Sequence, residues 1–230
     1  MNPQANHKRI LLTILLAGLL LLPGPAAAFD TAACHCFRHR EYDPKAPFAA
    51  DDYILATSFN SLTAACFKIS KKELVLYKMK GGIRQDDLLI ALYLARAKKL
   101  DLDRLLKARA REKSWSAVVA AFPALAADRQ DRLVAMLRNS RPETECGAFV
   151  ADHMIADYFD LSPARVEAER RRGLNEKELA LAFYLARVRK LPVEKLIEQV
   201  KQEGRCWSEV AFYLGLSPKE VGRGILEGNK

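Results

Sequence analysis

One stretch occurs twice in this chain: GGIRQDDLLIALYLARAKKLDLDRLL at residues 81–106 and RGLNEKELALAFYLARVRKLPVEKLI at residues 172–197. The offset is 91 residues without a gap, and 10 of the 25 positions aligned from Gly82 onward are identical. Chance does not produce such a match. The chain is therefore predicted to contain two copies of one unit.

The match extends in both directions. Downstream, the two tryptophans of the chain, Trp115 and Trp207, fall at matching positions. Upstream, the first copy carries about nine extra residues near Cys66, and the matched residues are Asp52, Ala56 and Phe59 with Asp152, Ala156 and Phe159. Two units of about 75–80 residues are predicted, at residues 49–124 and 149–230. A Cys/His-containing segment at residues 29–48 precedes them, and a linker that contains a helix, residues 125–148, lies between them.

Every strong local pattern is helical. Residues 88–95 and 179–186 are apolar around the whole helix for two turns, so each must be surrounded by other helices. Gly82 and Gly173 stand where helices end in the left-handed region. Helix starts are indicated by a capping box at Asn175 and by serine before proline, in Ser162-Pro163 and Ser217-Pro218. The prediction is an all-α protein of two duplicated units, each around a central apolar helix.

The first 28 residues have the layout of a secretory signal peptide. Lys8 and Arg9 precede an apolar run at residues 10–22, and the small residues 26–28 precede Phe29. An uncleaved membrane anchor is the alternative, but such a run rises only about 20 Å as a helix, short of a bilayer core of about 30 Å. We expect cleavage before Phe29 and a periplasmic or secreted protein.

Composition excludes several classes of protein. Half of the residues are apolar and 28% are charged, which is neither a disordered tail nor a multi-span membrane protein. The formal net charge is +9, and removal of residues 1–28 leaves the balance positive. A positive charge favours anionic partners such as membrane surfaces or acidic polymers.

Five cysteines follow the signal segment. Disulfides are the default in an exported protein. The repeat favours one bond within each unit: Cys146 with Cys206, and Cys66 with Cys36 or Cys34. These two bonds would leave one of the five cysteines unpaired.

A metal site is the alternative for the N-terminal cysteines. Four potential ligands lie within six residues: Cys34, His35, Cys36 and His39. Thiolate and imidazole suit zinc or copper, although the Cys-x-Cys spacing is tighter than that of structural zinc sites.

No catalytic motif occurs in the sequence. His-Glu-x-x-His, Gly-x-Ser-x-Gly and phosphate-binding glycine loops are all absent, and His153 is interpreted as a packing residue. We therefore predict no catalytic residues and no cofactor.

The segment CWSEVAFYLGLSPKEVGRGI, residues 206–225, resembles a DNA-binding helix-turn-helix, except that Gly224 stands where a bulky residue is expected. The paired pattern, with Trp-[Gly/Ser]-Glu-[Ile/Val]-Ala near its end, also resembles a group of uncharacterised exported bacterial helical proteins. The first resemblance implies major-groove binding. The signal peptide opposes nucleic acid as a partner, and the second resemblance implies no known activity.

The sequence thus predicts a non-enzymatic exported helical protein that binds another envelope protein or an anionic surface. Two alternatives stay open. One is a DNA-binding protein held at the membrane by an uncleaved N-terminus, and the other is a thiol or metal-binding protein that uses residues 34–39.

The exported protein should begin at Phe29, because the three alanines before it follow the apolar run at the distance that signal peptidase requires. Intact-mass measurement of the exported product checks this. Retention of residues 1–28 with the protein in the membrane fraction would contradict it.

Overall fold

Thirteen α-helices make up the part of the chain that the computed structural model describes, residues 37–228, and no strand occurs there. A 3-10 helix, Pro47–Ala50, precedes them. The helices are α1 (Asp51–Phe67), α2 (Lys71–Gly81), α3 (Gln85–Lys98), α4 (Leu102–Glu112), α5 (Trp115–Ala121), α6 (Pro123–Ala126), α7 (Arg132–Arg138), α8 (Glu143–Phe159), α9 (Pro163–Arg171), α10 (Glu176–Arg189), α11 (Val193–Lys201), α12 (Trp207–Tyr213) and α13 (Pro218–Glu227). The all-α prediction is confirmed.

The predicted helix ends are present. Asn175 accepts hydrogen bonds from two backbone N–H groups of α10, while the Glu178 carboxylate accepts one from the Asn175 backbone. Ser217 forms the same capping box with the glutamate three residues later. Gly82 and Gly173 adopt φ angles of 58° and 88°, which residues with a Cβ rarely adopt.

The two helices predicted to be apolar all round are both buried. In α3 the buried run covers residues 87–92 and 94, and in α10 it covers residues 178–185. Helix α3 contacts α1, α2, α4 and α8, and α10 contacts α1, α8, α9 and α11. Each is therefore enclosed by neighbours, as a helix without a polar face must be.

Helix α1 is more buried than its polar sequence suggests. Residues 56–64 are buried without a break, although five of the nine are polar. Ser58 and Thr63 donate to the carbonyls four residues earlier, and Lys71 and Lys78 donate to the side chains of Ser61 and Asn60. Because these polar groups have partners, their burial is tolerated.

Helix α13 lies closely against α1. A Cβ at Gly222 would stand 2.7 Å from the Thr57 methyl carbon, and a Cβ at Gly224 would stand 1.9 Å from the Tyr184 hydroxyl. Glycine at both places lets the α13 backbone approach its neighbours, with Val221 and Ile225 buried beside them. The sequence mismatch at Gly224 thus has a packing reason.

Two runs of helices share order and similar lengths. Helices α1 to α5 have 17, 11, 14, 11 and 7 residues, and α8 to α12 have 17, 9, 14, 9 and 7. Helix α3 packs mainly against α8, and α10 mainly against α1. The first helix of each run therefore packs against the apolar helix of the other.

The helix bounds differ from the segments predicted upstream of the repeat. Helix α8 begins at Glu143, inside the segment predicted as a linker, which also contains α7. Helix α1 is as long as α8, although extra residues around Cys66 are predicted for the first copy. Matching the helix ends pairs Phe67 with Phe159, an offset of 92 residues.

The predicted bond between Cys146 and Cys206 is also wrong, because both are free thiols, as is Cys66. The sulfur of Cys206 is 2.8 Å from the carbonyl oxygen of Pro47, beside the start of α1, and that of Cys146 is 3.9 Å from the carbonyl oxygen of Arg141. Pairing of Cys66 with Cys34 or Cys36 involves residues outside the described part of the chain.

Replacement Gly224→Ala should lower the free energy of unfolding by about 1–3 kcal/mol, because the added methyl group overlaps the Tyr184 hydroxyl. In a Tyr184→Phe background the same change should cost less, since the nearest atom is gone. Arg223→Ala on the exposed face of α13 is the control. Chemical denaturation measures all four variants, and equal costs of Gly224→Ala in both backgrounds would contradict the contact.

Candidate functional site

The sequence-predicted metal site falls largely outside the described residues. Cys34, His35 and Cys36 are not described, and His39 is exposed. Within residues 37–228, no group of three or more histidine, cysteine, aspartate or glutamate side chains is arranged to hold a metal ion.

Trp115 and Trp207 are both buried, in similar surroundings. Each indole N–H donates to a carboxylate oxygen, at 2.6 Å and 3.1 Å respectively, and each carboxylate also binds a basic side chain. The carboxylate and cation pairs are Asp87 with Arg109 and Glu178 with Lys201. These contacts anchor α5 and α12 to the two apolar helices.

The helix-turn-helix segment is formed by α12, a turn in which Gly215 has φ 69°, and α13. One face of α13 is buried against α1. Its exposed side chains include two basic and two acidic residues, Lys219, Glu220, Arg223 and Glu227. This face has no excess of positive charge for phosphate groups.

A cleft of about 480 Å³ opens between the end of α1, the second half of α3 and the middle of α8. Its volume lies in the range of ligand pockets. The walls are mixed, with apolar side chains beside charged ones. They include Cys66, Phe67, Lys68, Tyr93, Arg96, Ala97, Val150, His153, Met154, Asp157 and Tyr158.

The Cys66 thiol lies in this cleft in its protonated form. Burial raises the pKa of Cys66 to about 12, although the Arg96 guanidinium acts in the opposite direction. The thiol faces the carbonyl of Met154 at 3.7 Å, and Arg96 donates to the Cys66 carbonyl at 2.6 Å. A neutral thiol is a weak nucleophile, so this cysteine is not activated for covalent chemistry.

Two other polar side chains of the cleft, Tyr158 and His153, are paired with backbone carbonyls. Tyr158 donates its hydroxyl to the Ile225 carbonyl at 2.6 Å, and burial raises the pKa of Tyr158 and of Tyr93. His153 Nδ1 is 2.9 Å from the Phe149 carbonyl, and its ring lies 4.0 Å from the Phe149 ring. The arrangement fits recognition better than proton transfer.

Three of the charged side chains at the cleft are exposed: Lys68, Arg96 and Asp157. Two of these are cationic and one is anionic. The mouth of the cleft therefore favours a ligand that brings negative charge.

Sequence reasoning missed this cleft. Cys66 was assigned to a disulfide and His153 to packing, and the lining residues come from three segments far apart in the chain. The available signal was Arg96, which the repeat matches with Arg187. Each binds a carbonyl at the end of the first helix of its run, Arg96 at Cys66 and Arg187 at Tyr158.

No family model, no curated protein and no solved structure matches this chain. Among the described residues, no helix is long and apolar enough to cross a membrane. Function must therefore be argued from the cleft itself.

Alkylation of Cys66 should be slow at neutral pH and should rise about tenfold per pH unit up to pH 9.5, because the thiolate is scarce below a pKa of about 12. In the unfolded chain, the rate of Cys66 alkylation should level off near pH 9. Iodoacetamide labelling with peptide mapping separates Cys66 from Cys146 and Cys206. A plateau of Cys66 labelling below pH 9 in the folded protein would contradict the assignment.

Proposed function

We propose that this is a non-enzymatic exported protein, built from two copies of one helical unit, that binds another component of the cell envelope. The cleft between α1, α3 and α8 is the binding site. One observation supports this proposal: the cleft has the size of a ligand site, but its side chains are not prepared for catalysis. The Cys66 thiol is neutral, His153 and Tyr158 are bonded to backbone carbonyls, and the charged side chains are exposed at the mouth.

Duplication is supported by contacts at matching positions. Asp87 and Glu178 differ by the repeat offset of 91 and each receives an indole N–H. Lys68 and Asp160 end the matched first helices with left-handed backbones, φ 55° and 54°. Three independent kinds of agreement, in sequence, helix length and hydrogen bonding, favour descent from one unit over coincidence.

Binding is favoured over catalysis by the chemistry of the cleft. A nucleophile needs an adjacent base or a lowered pKa. Cys66 has a raised pKa, and the Nδ1 of His153 is occupied by a backbone carbonyl. These groups shape the cleft and supply hydrogen bonds without being prepared to form a covalent bond.

An anionic envelope partner is favoured by charge. Lys68 and Arg96 flank the cleft against the single carboxylate of Asp157, and the chain as a whole carries a net charge of +9. Electrostatic complementarity of this kind raises the rate of encounter and selects partners by sign.

A photo-crosslinking amino acid at Ala97, an exposed residue of the cleft wall, tests the proposal in living cells that export the full chain. We expect adducts from Ala97 and none from Lys195, an exposed position on α11 that serves as the control. The envelope fraction should contain the adduct. Absence of any adduct specific to Ala97 would contradict binding at the cleft.

A further inference from the structure

The second half of the molecule shows what such a cleft can hold. There, α13 lies along α1 and reaches two other helices. A Cβ at Gly222 would stand 3.3 Å from the Ser61 hydroxyl oxygen of α1, and Gly224 faces Tyr184 of α10. The carbonyl of Ile225 accepts a hydrogen bond from the hydroxyl of Tyr158 near the end of α8. Helix α13 thus fills a groove between α1, α10 and the end of α8.

The open cleft occupies the matching place in the first half. With the offsets of the proposed duplication, on which this inference rests, Ser61 corresponds to His153, Tyr184 to Tyr93 and Tyr158 to Cys66. All three counterparts line the cleft. The cleft therefore corresponds to the groove that α13 fills, but no helix occupies it.

Helix α7 holds the chain position that corresponds to α13, but it does not fill the cleft. It has seven residues against ten, and its first residues stay near Lys98, which binds the Asp131 carboxylate at 2.8 Å. Its last residue, Arg138, donates to the carbonyls of Leu125 in α6 and of Asp128 in the loop that follows α6. The part of the groove around Cys66 and Asp157 is left open.

The floor of the cleft differs from that of the filled groove. His153 and Asp157 of α8 replace Ser61 and Ala65 of α1, so a backbone cannot approach as closely as α13 does. An occupant must instead insert side chains. Val150 and Met154 offer apolar contacts, while the exposed cations offer partners for carboxylates.

We infer that the cleft receives a short amphipathic helix of a partner protein, with apolar residues at i and i+4 on the inserted face and acidic residues beside them. This mode of recognition places a narrow apolar stripe in a groove and uses flanking charges for specificity. One to two helical turns, about 5–11 Å, span the floor.

Two peptides test this inference against the full chain. Both copy residues 217–228 and carry a fluorophore. Both are stapled to remain helical, because such short helices are marginal in water. The acidic peptide has Lys219 and Arg223 replaced by glutamate, and the basic peptide has Glu220 and Glu227 replaced by lysine. Fluorescence anisotropy should show binding of the acidic peptide at least about tenfold tighter than of the basic one.

Two pairs of variants locate the binding. Ala97→Trp should fill the cleft and weaken the acidic peptide at least about tenfold, whereas Lys195→Trp should not. Lys68→Glu should reduce the preference for the acidic peptide, while Lys190→Glu should leave it unchanged. Lys190 is a matched control, because it ends α10 with the same left-handed backbone, φ 51° against 55°.

Three results would overturn the inference: binding of neither peptide, equal binding of both, or binding insensitive to Ala97→Trp. If dodecyl phosphate binds in an Ala97-dependent manner and neither peptide does, the cleft is a site for small amphiphiles. The proposed binding role then stands, while the inference of a helical partner is wrong. If the acidic peptide binds but cells give no adduct at Ala97, the proposed function fails instead.

Discussion

The structure depends on how closely α13 approaches α1. Helix α1 is the most continuously buried helix of the described chain, and α13 lies against it at Gly222, opposite Thr57 and Ser61, while Gly224 faces Tyr184 of α10. Small residues on both helices let the backbones come near, so more atoms make dispersion contacts. A methyl group at either glycine would force the helices apart or displace a neighbour.

This close contact explains why the two halves differ. On α8, the positions that match Thr57 and Ser61 carry Phe149 and His153. The ring of Phe149 packs at a tilt against the ring of His153 and lies 5.3 Å from the Arg132 guanidinium, so α8 presents aromatic surface to α7. A helix cannot lie as close to that surface as α13 lies to α1. Phe149 and His153 therefore hold α7 off this face of α8, and the cleft beside it stays open.

Much of the fold follows from local sequence patterns. Helices α3 and α10 were predictable because an all-round apolar surface can only be buried. The caps at Asn175 and Ser217 were predictable because each joins two residues only three positions apart. Helix α1 was not, since its buried serines and threonines read as a polar surface. The cleft was not predictable, because it requires the relative placement of α1, α3 and α8, which are far apart in the sequence.

The two ends of the described chain are joined without a disulfide. The Asp51 carboxylate at the start of α1 accepts the backbone N–H groups of Trp207 and Ser208 at 2.9 and 2.8 Å, which satisfies donors at the start of α12. Hydrogen bonds to a charged group contribute about 1.5–3 kcal/mol each. Two of them together contribute about 3–6 kcal/mol, at least as much as the about 2–4 kcal/mol typical of a disulfide. The predicted bond joined Cys206 to Cys146, whereas its two neighbours bind Asp51 instead and the buried Cys206 thiol donates to the Pro47 carbonyl.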